Sequence, residues 1–518
     1  MVVYQMFPRL WGNHVPSPVP GGSLEENGCG KFGSIDEESL SWLREELHVT
    51  HVWYTGIIRH ATTETVGGLK ASDPAVVKGR AGSPYAITDY FDVNPYLADN
   101  PEDRMSEFES LIRRTHSSGL KVLIDFVPNH VSRDYGKVGL TRHPDRGNLG
   151  ENDDCSFHWR PENDFFYYPG QPLNLPVPGK YYENPAKASG NCFSPFPGKN
   201  DWYETIRLNY CDFHTPTWDR MLEIARFWCA KGVDGFRCDM VEMVPWQFMK
   251  WLIGEIKREF PDVIFIAEVY QKDLYRRYTL EVGFDFLYDK SGLYDTLRAI
   301  VGGQGSAREI TWNWQFLDDL QPRMLNFLEN HDEQRLASHY FAGDPLKAAA
   351  PLCAGLLLND APYMIYSGQE VGEAGMDAEG FSGLDGRTTI FDWWSVASLG
   401  RLWDHIHGKE VLSDVEKATL DLYKRILALR KVLAGGRTFD LGYSNSPAGG
   451  FDPDSCFAFL RGGEGKATLI VCNFSGHAVS PVIYIPGEAL EFLGIEKTET
   501  PMRKGVSVQA FGYSVLPV

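Results

Sequence analysis

Long hydrophobic runs are missing from this chain of 518 residues. The longest nearly apolar stretch, Ala348 to Leu358, has 11 residues and is interrupted by Pro351 and Gly355. A membrane-spanning helix needs about 20, so no membrane span is expected. Positive charge is short as well: 50 Lys and Arg stand against 69 Asp and Glu, a net charge of −19. Proteins that follow a phosphate backbone need a basic face, which argues against nucleic acid as the main partner. Paired cysteines are absent. The nine cysteines are odd in number and contain no C-x-x-C, which fits reduced thiols better than a disulfide framework or a zinc site. Cys155 and Cys192 share a loop-rich segment and are the pair that export would join. The opening MVVYQMFPRL has neither a basic leader nor the apolar core of a secretory signal. A cytoplasmic protein is the expectation, and export with the leader already removed is the alternative. The sequence leaves the oligomeric state open.

What the chain does have is enough apolar residue, 43%, for a large core, and one recurring unit. An amphipathic helix is stopped by Gly or Pro, and a short apolar strand with a polar end follows. Ser34 reads as the cap of a helix through Glu46, before the strand THVWYTG. Asn100-Pro101 starts a helix that Gly119 ends, before KVLIDFV. Helices over 217–230 and 245–260 precede GVDGFRCD and VIFIAEV, and RMLNFLE and APYMIYSG are two further strands. With VVYQMFP at the start, these strands and helices predict a parallel α/β sheet closed into a (β/α)₈ TIM barrel. The repeat fails between Val131 and Asp212, a stretch rich in Asn, Asp, Pro, Gly and aromatics and too long for a plain loop. Residues 1–130 and 213–435 are therefore assigned to the barrel, 131–212 to a subdomain inserted after the third strand, and 436–518 to a C-terminal antiparallel β-sandwich.

Four strand ends are acidic: Asp125 within DFVPNH, Asp239 after Arg237, Glu268 after Ala267, and Glu329 to Asp332 as ENHD. A barrel brings all such ends to one mouth, so Asp239, Glu268 and Asp332 become neighbours despite their sequence separation. One acid at a strand end is usually a cap or a surface charge, and a lone His130 or His331 is usually a buried, hydrogen-bonded histidine. Four acidic ends on successive strands, two of them with His attached, are harder to dismiss. Crowded carboxyls split their pKa values, leaving one protonated as an acid and another ionised as a nucleophile. Two carboxyls flanking a bond are what glycoside cleavage uses. Arg237, two residues before Asp239, points to the same side of its strand and can hold that carboxylate ionised.

These segments resemble the four signature regions of glycoside hydrolase family 13, the α-amylase family: DFVPNH the first, GFRCDMVE the second, FIAEV the third and FLENHD the fourth. VVYQMFPRLWGN resembles the family's first strand and SPYAITDYFDVNP its G-Y-D-I-T-D-Y segment, so the likeness covers almost the whole chain. It implies a retaining double displacement, with Asp239 as nucleophile, Glu268 as general acid/base and Asp332 as the carboxylate that binds sugar hydroxyls. It further implies that Arg237, His130 and His331 support the site and that Tyr85 is the platform under the sugar. Asp125 and Asn129 match positions that hold the site or, in many members, a structural Ca²⁺. No cofactor is implied as required, and a calcium ion near Asn129 is the one metal expectation.

Two departures refine this. Glu242 and Met243 stand where many members have Lys-His, which resembles the neopullulanase and cyclomaltodextrinase branch and alters the calcium position. Pro84 and Ala86 replace the Gly and Asp of strict terminal glucosidases. The expected activity is cleavage of α-1,4 bonds in starch-derived glucans or maltooligosaccharides, extending to α-1,6 bonds. Transglycosylation at the same site is the alternative, and a non-catalytic carbohydrate-binding protein is the alternative of another class. Three weaker signals remain. Gly28 to Gly33 fits G-x-G-x-x-G but is badly placed for a dinucleotide and reads as a flexible loop. The aromatics around Phe165–Tyr168, Tyr181, Tyr182, Trp202 and Tyr203 are either sugar platforms or a local core. Glu370 reads as structural.

Overall fold

The computed structural model describes residues 1–139, 148–375, 384–463, 465–495 and 501–518. Eight parallel strands close in sequence order: β1 (Val2–Met6), β2 (His51–Tyr54), β3 (Lys121–Phe126), β4 (Gly235–Cys238), β5 (Ile264–Ala267), β6 (Phe286–Tyr288), β7 (Met324–Phe327) and β8 (Tyr363–Tyr366). Closure is made by β8 against β1, with Val2 opposite Tyr363. The sequence marks seven of these strands. The missed one, β6, has three residues, lies between two segments wound as π-helix and is too short to show a period.

The barrel interior explains where the polar residues end up. Val3, Trp53, Leu123, Ile266, Leu325 and Met364 form one buried cluster. Side chains alternate along a strand, so the residue two positions later faces the same way, nearer the C-terminal mouth. Gln5 thus follows Val3, Asp125 follows Leu123, and Glu268 follows Ile266. Outside the barrel, the helix Arg104–Ser117 buries Phe108, Leu111, Ile112 and Thr115, the i, i+3, i+4, i+7 stripe of a helix that covers a sheet. Ser34 is not the cap of the helix Glu37–Glu46. It ends a 3₁₀ turn, and Asp36 caps instead by accepting from the Ser39 N–H.

The segment after β3 contains two short antiparallel pairs, His130–Ser132 with Thr205–Arg207 and Tyr167–Tyr168 with Ala186–Lys187. Its aromatics divide: Phe165 and Tyr167 are buried while Tyr182 is exposed. Near the C-terminus, Arg437–Asp440, Cys456–Gly463, Lys466–Asn473 and Tyr513–Pro517 form an antiparallel sheet. Val482–Ile485 and Met502–Gly505 form a second sheet. Ala458, Leu460, Leu469 and Val471 pack with Ile483 and Ile485 of that second sheet, whereas Phe457, Phe459, Ile470 and Cys472 join the barrel's own core. The larger sheet is therefore buried on both faces and fixed to the barrel. The Gly28–Gly33 segment is also packed rather than loose: a Cβ on Gly30 would lie 2.1 Å from the Trp11 carbonyl and 2.2 Å from that of Pro8. All nine cysteines are unpaired, Cys155 and Cys192 included. No helix among the described residues is long and apolar enough to cross a membrane.

Candidate active site

A cavity of about 340 Å³ opens at the barrel mouth, and Tyr85, His130, Asp239, Glu268, Tyr270 and Asp332 all line it. The three carboxylates named from the sequence therefore meet in one cavity. Arg237 organises two of them. Its Nη1 donates to Asp239 Oδ1 at 2.7 Å, and its Nη2 forms an ion pair with Glu268 Oε1 at 2.8 Å. Asp125 lies farther off, 4.0 Å from Nη1. The guanidinium is held in place by Tyr288, whose Oη accepts from Nε at 3.2 Å, and by the rings of Trp53, Tyr85 and Tyr288. Tyr288 comes from β6, so the strand that the sequence hides carries the group that aims Arg237.

Glu268 is the more fully bonded of the two acids. Its Oε2 accepts from the Met240 N–H at 2.8 Å, and its Oε1 accepts from Tyr270 Oη at 2.6 Å. The Met240 donor is bought with strain, because this residue adopts φ +43, the left-handed region that non-glycine residues avoid. Burial, then the charge of Glu268, push Asp239 well above the usual carboxylate range, while Arg237 pulls it back.

Behind the cavity runs a polar chain. Gln5 Nε2 lies 2.8 Å from His331 Nδ1, and His331 Nε2 lies 2.5 Å from Tyr85 Oη and 3.1 Å from Asp332 Oδ2. With Gln5 donating to Nδ1, the His331 proton sits on Nε2 and faces the substrate side. Burial lowers His331 to about 3, so the ring stays neutral. Tyr85 stacks on His331 with centroids 5.4 Å apart, and its Oη donates to Asp125 Oδ1 at 3.4 Å. Asp125 also accepts from the Gly56 N–H at 3.1 Å, and burial pushes it up to about 6. Its place is under the site, supporting Tyr85. His130 packs against Trp202 at the cavity wall, and burial lowers it to about 3. Asp332 is the open member of the trio, its side chain 41% exposed against 8% for Asp239 and 3% for Glu268.

Asn129 lies outside the cavity lining. Its Nδ2 donates to the Gly190 carbonyl at 3.0 Å. That oxygen also accepts from Arg207 Nη1 at 2.9 Å, and Arg207 Nη2 donates to the Met243 carbonyl at 2.7 Å. The approach is tight, since a Cβ on Gly190 would lie 2.7 Å from Thr205 Oγ1 and 2.8 Å from the Trp202 ring. Calcium takes six to eight oxygen ligands. Here the oxygens are occupied by an amide N–H and a guanidinium, a fixed positive charge stands beside them, and no group of three His, Cys, Asp or Glu suited to a metal exists among the described residues. These residues do not fit a calcium ion.

Sequence reasoning missed Gln5, Tyr270 and Tyr288. For Tyr270 the signal was present, because it stands two residues after Glu268 and so on the same side of the chain.

Comparison with known proteins agrees with this geometry. The family description "Alpha amylase, catalytic domain" matches residues 25–420, well over half of the chain. Alpha-amylase 3 of Dictyoglomus thermophilum is 28% identical over 313 residues, covering 56% of this chain and 54% of that protein. The chain thus spans about half the length of that relative. A cyclomaltodextrinase of Geobacillus thermopakistaniensis is 24% identical over 487 residues, covering 92% of this chain and 69% of that one. In fold, a debranching enzyme of Nostoc punctiforme superposes with a TM-score of 0.66 at 18% identity, covering 100% of this chain and 98% of that one. By the extent of the family match, the chain belongs to the alpha-amylase family.

Proposed function

We propose that this protein is a retaining glycoside hydrolase that cleaves α-1,4-glucosidic bonds in starch-derived glucans or maltooligosaccharides. The observation that carries the reading is the single Arg237 guanidinium in contact with both Asp239 and Glu268. Retaining enzymes use carboxyls about 5–5.5 Å apart, whereas inverting ones leave ~6.5–9.5 Å for a water. One guanidinium holding both carboxylates keeps them within reach of one anomeric carbon, and the match to the alpha-amylase family supports the retaining course. Asp239 attacks the anomeric carbon while Glu268, acting in its acid form, protonates the leaving oxygen. Glu268 then takes a proton from the water that releases the sugar. Asp332, open to the cavity, binds sugar hydroxyls, and Tyr85 offers its ring beneath the sugar.

The relatives named as an amylase and a cyclomaltodextrinase support α-glucans as the substrate class. Arg207 supplies the charge between Gly190 and Met243, so the enzyme works without calcium at Asn129. Unpaired thiols support a reducing, cytoplasmic location. The test is NMR of the first products from maltotriose, pullulan, cyclodextrin and soluble starch. The α-anomer should appear first, and Glu268→Gln should lower kcat by about 10²–10⁴-fold. Early β-anomer, or full activity in Glu268→Gln, contradicts the reading. A chelator should leave the melting temperature unchanged, while Arg207→Met should lower it without rescue by added calcium.

A further inference from the structure

One wall of the cavity is built from residues that the chemistry above does not use. Lys78, on the loop before Tyr85, and Glu204, next to the strand Thr205–Arg207, both line it. They form an ion pair at 3.2 Å, with side chains 10% and 4% exposed. The wall is rigid. The Ala81 and Gly82 N–H groups both donate to the Phe391 carbonyl, and the Glu204 carbonyl accepts from the Arg133 N–H.

A buried ion pair is ordinarily closed off by further hydrogen bonds, and this molecule contains closed ones for comparison. Arg335 donates to Glu329, Thr388 and the Ser367 carbonyl, and the second oxygen of Glu329 accepts from the Leu336 N–H. Arg133 donates to Glu183, Ser189 and the Tyr203 carbonyl. Lys78 and Glu204 are not closed in this way. The Glu204 carboxylate is bonded to Lys78 and to its own backbone N–H, and beyond the ion pair its Oε2 has no further hydrogen-bond partner among the described residues. Lys78 carries three N–H donors, and its other close neighbour is the Tyr203 ring at 5.4 Å. A buried carboxylate and ammonium with unused acceptors and donors, facing the cavity that holds the reacting acids, suit a ligand that offers hydroxyls able to donate and accept at once.

We propose that Lys78 and Glu204 form a hydroxyl-binding station in the cavity wall, gripping a glucosyl unit of the bound glucan and setting affinity and chain-length preference. This rests on the α-glucan reading above. Sugar hydroxyls donate to Glu204 and accept from Lys78, so the pair completes its hydrogen bonding only with substrate in place. The station binds sugar and takes no part in bond cleavage.

The test is the double variant Lys78→Met/Glu204→Gln, which removes both charges and strands neither, assayed on maltotriose and longer maltooligosaccharides. Hydrogen bonds to charged groups convert to about a 10- to 100-fold loss in kcat/KM. The loss should fall on KM, with kcat and melting temperature little changed and the ranking of chain lengths altered. The control Arg335→Met/Glu329→Gln should change melting temperature and leave KM alone. An unchanged KM, or a loss confined to kcat, overturns the station while leaving the hydrolase reading intact. A wild-type protein inactive on every α-glucan overturns that reading and the station with it. Should the double variant be too unstable to assay, the isosteric Glu204→Gln alone carries the test with the same outcomes.

Discussion

Two buried acidic clusters stand beside the C-terminal strand ends of this barrel, and they differ in how complete their hydrogen bonding is. Around Arg335, Glu329 and Glu370 every charge is spoken for: Arg335 uses all three nitrogens, Tyr4 and the Gly368 N–H donate to Glu370, and the Tyr366 ring covers the Arg335 guanidinium at 3.8 Å. Around Arg237 the acids face a cavity, and one of them, Asp332, is partly open. Each cluster gathers carboxylates around one buried arginine. The closed cluster fastens loops to the barrel, and the open one is left to complete itself with a ligand. At a barrel mouth, then, what an acid faces decides its role, a cavity for Glu268 and Asp332 and packed protein for Glu329 and Glu370.

Equivalent substitutions in the two clusters should have opposite consequences. Arg237→Met removes the charge that positions Asp239 and Glu268 and should lower kcat by about 10²–10³-fold, as the loss of a preorganised electrostatic group does. Arg335→Met strands Glu329 and should cost about 3–5 kcal/mol of stability in denaturant titration, with kcat per folded molecule retained. If both variants lose activity alike at equal stability, the division between the clusters fails. A smaller effect is expected from Tyr270→Phe, which deletes the donor to Glu268 and should cost roughly 10-fold in kcat with little change in melting temperature.

The closed cluster also gives a pH signature. Burial pushes Glu370 up to about 7 from an ordinary value of 4.5. Between those values the unfolded chain has released a proton that the folded one retains, so stability falls as pH rises through this window. Glu370→Gln should flatten the melting-temperature curve between pH 4.5 and 7. An identical slope in both proteins would show that Glu370 does not titrate there.

The same contrast explains what could be read from the sequence. Asp239, Glu268 and Asp332 were legible because each stands at the end of an apolar strand and the barrel rule collects strand ends. Asp125, Arg237, His130 and His331 were legible through their positions beside those ends. Strand β6 was not, because three residues carry no period. Lys78 and Glu204 were invisible because 126 positions separate them and only folding of the segment after β3 makes them a pair. Asn129 was named through the family resemblance as a calcium position, but the cation near it is a guanidinium contributed by Arg207, and no spacing rule brings those two together.

The most direct measurement is peptide mass spectrometry of Glu268→Gln after reaction with α-glucosyl fluoride, whose leaving group needs no acid. With deglycosylation slowed, a glucosyl ester should accumulate on the peptide carrying Asp239 and disappear in Asp239→Asn. A sugar attached to any other residue, or turnover without a covalent adduct and with inverted product, would contradict the assignment of Asp239 and Glu268 as a bridged nucleophile and acid.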